Sequence, residues 1–176
     1  MFRQTQVTLI SICSAALFTL ACSDSTAPAN QNPTTLSAVS PAGSATNVAA
    51  SASVVLTFSA PMAEGMDSLM DVHQGTTAGA LMPMTCSWSA DRTALTCTHA
   101  TPFAGGATYT IHVGAGMTDA NGMAINMDAM VNQMGGVWLQ SGMMGGMHAG
   151  QPTTGMSSGW HGANGSYGMM FTFTTM

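Results

Sequence analysis

The sequence contains no lysine, and its two arginines, Arg3 and Arg92, are its only basic residues besides histidine. Charged side chains make up 5% of the 176 residues, against roughly 25% in an ordinary soluble domain. Such scarcity excludes coiled coils and helical bundles laced with surface ion pairs. The lack of any basic cluster also excludes nucleic acid as a partner, because phosphate backbones are held by Lys and Arg. No apolar run reaches the roughly 20 residues that a membrane-spanning helix needs. An enzyme is not expected either: Glu64, Asp67, Asp71, Asp91, Asp119 and Asp128 show no paired spacing of an acid/base couple, and no nucleophile elbow or phosphate loop is present. Glu64, Asp67 and Asp71 are expected on a solvated helix face, and His73 and His112 at the surface.

What the chain does have begins at its amino terminus. Arg3 precedes an apolar run from Val7 to Ala21, followed by Cys22, Ser23 and Asp24. Charged, apolar and small-residue zones in this order form a secretory signal. The stretch Thr19-Leu20-Ala21-Cys22 resembles the lipobox of bacterial lipoproteins, with Thr19 where that pattern prefers leucine. The resemblance implies a diacylglycerol on Cys22 and cleavage ahead of it; a cysteine buried in an uncleaved apolar helix is the alternative. Ser23 resembles the outer-membrane sorting pattern. The expected organisation is a signal peptide at 1–21, a flexible Ser/Thr/Pro/Asn-rich tether at 22–35 and one domain at 36–176. Without the signal, Arg92 faces all seven acidic residues, a net charge of −6. The expected location is an outer-membrane lipoprotein facing the periplasm or the surface, held to the membrane by its lipid.

Of four cysteines, Cys13 leaves with the signal and Cys22 takes lipid, so Cys86 and Cys97 remain as a pair in an oxidising compartment. Met82, Met84, Cys86 and Trp88 alternate with Pro83, Thr85, Ser87 and Ser89, the period of a strand. A hairpin turning at Asp91-Arg92 sets Trp88 opposite Leu95 and Cys86 opposite Cys97, which favours a disulfide. The competing arrangement is a thiolate–imidazole metal site of Cys86, Cys97 and His99.

Short strand-like runs recur at Leu36–Val39, Ser53–Ser59, Leu69–Val72, Met84–Ser89, Ala94–Thr98, Thr108–Val113 and Met170–Thr174. Seven such runs predict an all-β, Ig-like sandwich. Val54, Leu56 and Phe58 share the core face of one strand. Met62, Met66 and Met70 recur every fourth residue and predict a short helix between Ala60 and Met70. Phe103, Gly105, Gly106 and Tyr109 have the form of a tyrosine corner, and Asp119-Ala-Asn-Gly122 supplies a turn.

Val39-Ser-Pro-Ala-Gly-Ser-Ala-Thr-Asn-Val48, Val55-Leu-Thr-Phe-Ser-Ala-Pro-Met62, the Cys86–Thr96 hairpin, Thr101–Val113, Thr118–Gly122 and Phe171–Thr175 together resemble the bacterial Ig-like domain of the SbsA type. That resemblance implies a spacer or adhesive module with a structural or binding role and no required cofactor, its partner an envelope protein or glycan. The Ser-Pro-Ala-Gly, Val-Leu-Thr-Phe-Ser-Ala-Pro-Met and Gly-Gly-Ala-Thr-Tyr strings also resemble the copper-resistance CopC family. Its amino-terminal histidine is replaced by Cys22 and its Asp-Gly-His by Asn121-Gly122-Met123, so no Cu(II) site carries over.

Between Asp128 and Gly168 lies a segment the Ig-like pattern lacks, an insertion before the last strand that holds 11 of the 20 glycines and a single charge, Asp128. Asp128 to Leu139 is expected to start it as a short helix. Met143, Met144, Met147 and His148 fall within six positions, with Met156 and His161 nearby. Thioethers suit Cu(I) or Ag(I), imidazole suits copper, and a glycine backbone lets close ligands converge. The alternative is that methionine and glycine form an adaptable loop covering the sandwich.

Overall fold

The computed structural model describes residues 32–128, 130, 135–138 and 168–176. The expected signal peptide, Cys22, most of the tether and the residues Met143, Met144, Met147, His148, Met156 and His161 lie outside the described residues. Those that are described belong to one unit, Asn32–Met176.

Two sheets face each other. The first runs β1 (Leu36–Ser40), β3 (Val54–Phe58), β6 (Ala94–Thr98), β5 (Thr85–Trp88), with every neighbouring pair antiparallel. The second runs β2 (Ala45–Val48), β9 (Met169–Thr175), β7 (Thr108–Val113), β4 (Met70–Gln74), with β8 (Val137–Trp138) paired to the start of β9. All seven expected strands are present. The chain is an all-β, Ig-like sandwich.

Period-2 patterning explains the layering. Val54, Leu56 and Phe58 turn inward from β3, and Tyr109, Ile111 and Val113 from β7, meeting Phe171 and Phe173 of β9; all are buried. Each such side chain contributes about 1.5–3 kcal/mol relative to exposure, so this interior outweighs any surface ion pair in so uncharged a chain. Its aromatic end is a cluster in which Phe103 lies tilted at 4.4 Å from Tyr109 and edge-on at 5.3 Å from Phe173, ring centre to ring centre.

Two elements differ from expectation. Met62, Met66 and Met70 do not share a helix: only Met66–Leu69 is helical, as one 3-10 turn entered through Gly65 at φ 77°. Met62 is instead bridged to Asp119, and Met70 opens β4. The expected helix from Asp128 to Leu139 stops short, because Val137 and Trp138 join β9 as strand β8. Asp128 and Met130 are helical.

Candidate functional site

The β5–β6 hairpin pairs Thr85 with Thr98, Cys86 with Cys97 and Trp88 with Leu95. The two sulfurs form a disulfide, with Cα atoms 4.0 Å apart. This overturns the alternative metal site, since neither cysteine retains a thiolate. His99 instead sets its ring nitrogens 2.8 Å from the Thr101 carbonyl and 3.1 Å from that of Ala52. The turn is longer than a two-residue one: the Ser89 amide donates to the Ala94 carbonyl, leaving Ala90–Thr93 as the loop with Arg92 at φ 58°. From there Arg92 Nε donates to the Met62 carbonyl at 2.8 Å, and its guanidinium lies over Trp88.

The tyrosine corner is in place, with the Tyr109 hydroxyl accepting the Ala104 amide at 2.8 Å. At the Asp119 turn, Oδ1 accepts the Asn121 and Met123 amides at 2.9 and 3.0 Å, and Oδ2 accepts the Thr34 hydroxyl at 2.9 Å. Burial opposes ionisation of this carboxyl, but the hydrogen bonds from Met123, Thr34 and Asn121 outweigh it and hold its pKa below the ordinary value.

The most concentrated chemistry lies on the outer face of the second sheet, where the sequence places surface residues. His73 and His112 are not exposed: they are 2% and 0% accessible. Both turn away from the core, as alternation requires, yet that face is itself covered. Asp71 is not on a solvated helix face but on β4, opposite His112 of β7. Its Oδ1 lies 3.2 Å from His73 Nε2 and 3.4 Å from His112 Nδ1. Burial works against the Asp71 charge, and the contacts with His112 and His73 overcome it, lowering the pKa to about 2. His73 likewise loses by burial and gains more from Asp71 and the Gly79 carbonyl, so its pKa is raised.

Glycine makes the cover possible. A Cβ on Gly168 would fall 2.2 Å from the Val113 carbonyl oxygen and 3.0 Å from His112 Nε2, and one on Gly79 would fall 1.8 Å from the Gln74 carbonyl oxygen. No side chain fits at either place.

Next to Asp71, a cavity of about 340 Å³ opens between β4 and the segment entering β5, lined by Asp67, Met70, Asp71, Leu81, Met82 and Met84, among others. Asp67 is tied to the Trp88 indole N–H at 3.4 Å, so of the three acidic residues expected on one helix, Glu64 alone is largely exposed. Among the described residues, no group of three or more His, Cys, Asp or Glu side chains is placed to hold a metal ion.

The family model described as bacterial Ig-like domain matches residues 30–134. Among solved structures, the S-layer protein rSbsC(31-844) aligns at 17% identity and a TM-score of 0.41, over 55% of this chain and 13% of that one. L,D-transpeptidase 1 of Mycobacterium tuberculosis aligns at 17% identity and 0.37, over 46% and 36%. The alpha-2-macroglobulin of E. coli aligns at 16% identity and 0.40, over 54% and 6%. The chain thus spans under two-fifths of each of these proteins. No curated protein matches it.

Proposed function

The chain belongs to the bacterial Ig-like domain family, and we propose that it is a lipid-anchored module of the bacterial cell envelope with a structural or binding role, not a catalyst. The observation that carries this reading is the Cys86–Cys97 disulfide, a bond that persists in oxidising compartments outside the cytoplasm. It agrees with the signal-like run that ends at Ala21-Cys22. In this account residues 1–21 are removed, the diacylated Cys22 holds the membrane, 22–35 tether the sandwich, and Ser23 directs it to the outer membrane. The SbsA-like motifs support a spacer or adhesive role toward an envelope protein or glycan. Fractionation tests the anchor: the wild type should sediment with membranes and Cys22→Ser should not, whereas a soluble wild type would overturn the reading.

A second reading rests on a different feature. Met143, Met144, Met147 and His148, with Met156 and His161, form a soft-ligand cluster by sequence, and the CopC-like strings accompany it. In that case the insertion binds Cu(I) or Ag(I) at the envelope.

A further inference from the structure

His73 is buried between two groups that can only accept hydrogen bonds. Its Nδ1 lies 3.0 Å from the Gly79 carbonyl oxygen, and its Nε2 lies 3.2 Å from Asp71 Oδ1. A neutral imidazole carries one N–H, so either tautomer leaves a ring lone pair against an oxygen lone pair. Only the imidazolium presents a proton to both sides, as a hydrogen bond to Gly79 and as a charge beside Asp71. We propose that His73 is a proton-operated latch, an imidazolium that fastens the Gly75–Leu81 loop to β4 beside the methionine-lined cavity and lets the loop loosen when it loses its proton.

The direction of release follows from bond strength. On deprotonation one ring proton passes to solvent base and the ring keeps the other. The Asp71 contact is an ion pair without hydrogen-bond geometry, yet a carboxylate attracts an N–H about twice as strongly as a neutral carbonyl does, so the remaining proton is drawn to the nitrogen that faces Asp71. The Gly79 carbonyl then faces a lone pair. Gly79 belongs to a tight excursion in which the Gly79 amide donates to the Thr76 carbonyl and the Gln74 amide to the Ala80 carbonyl. Loss of the His73 contact therefore acts on a small set of hydrogen bonds at the cavity wall that includes Leu81.

His73 shares the Asp71 carboxylate with a second imidazole, that of His112. Asp71 on β4 faces His73 directly, and His112 on β7 approaches the same Asp71 oxygen. Asp67 of the 3-10 turn lines the adjoining cavity, and Met170 of β9 stands opposite His112. The loop 75–81 and the segment 82–86 carry no acidic or basic residue. Asp71, held ionised, favours the charged form of the histidine. Because the His73 pKa is raised on folding, the stability the latch adds is complete below the ordinary histidine value of 6.5 and is lost as pH rises through the raised one.

The test is nitrogen NMR of the imidazole rings together with amide exchange in the intact domain. Below pH 6.5, His73 should show both ring nitrogens protonated, with a midpoint above 6.5, and Asp71→Asn should lower that midpoint. Amide protection at Gln74 and Gly79, corrected for intrinsic exchange, should fall about five-fold through the same titration, the size of one hydrogen bond. His73→Gln should remove the step. A His73 midpoint at or below 6.5, or protection unmoved while it titrates, would overturn the latch. Should either variant fail to fold, the wild-type titration decides alone.

Discussion

Cys86 and Cys97 stand directly opposite each other on β5 and β6 and are joined across the hairpin. The bond closes a short loop, with a sequence separation of 11. In the chain-entropy account such a loop adds about 3 kcal/mol by restricting the unfolded chain. Replacing both cysteines by alanine should therefore lower the unfolding free energy by that amount, read as a lower urea midpoint, with the fold retained. An unchanged midpoint would show that the bond adds no stability.

Tyr109→Phe removes the hydroxyl that accepts the Ala104 amide and keeps the ring against Phe103 and Phe173. The cost expected is about 0.5–1.5 kcal/mol, that of one hydrogen bond whose donor, on exposed Ala104, water can reach. Denaturant unfolding of the variant measures it.

These predictions concern features that alternation and turn chemistry make readable. The facing cysteines, the inward face of β3 and the tyrosine corner each depend on residues near one another in sequence. β2 was not readable: it spans four residues, Ser44 and Asn47 at its edge and interior have positive φ, and it lies half exposed beside β9. The spacing of Met62, Met66 and Met70 imitates a helix, yet the three serve a bridge, a 3-10 turn and a strand. Most instructive are His73 and His112. Alternation correctly turns them from the core, but it says nothing of what covers that face: Gly79 meets His73 from the loop after β4, and Gly168 meets His112 from far along the chain.

Acid should weaken the Asp119 turn. The carboxyl is held below its ordinary value of 3.8 by hydrogen bonds from Met123, Thr34 and Asn121, which outweigh burial. Its stabilisation is complete above 3.8 and disappears as pH falls through the lowered value. Asp119→Asn should flatten the acid limb of the stability–pH profile; an identical limb in the variant would contradict this role.

The copper reading makes a separate prediction. Anaerobic Cu(I) titration of the domain lacking residues 1–22 should show binding that is lost when Met143, Met144 and Met147 become leucine. Equal, weak binding by both forms would end that reading and leave the anchored-module account untouched.

The central claim, a lipid-anchored envelope module, is tested most directly by mass spectrometry of the mature protein from membranes. The account predicts a chain that begins at Cys22 and carries diacylglycerol on its sulfur. A mature amino terminus at another residue, or an unmodified Cys22, would contradict it.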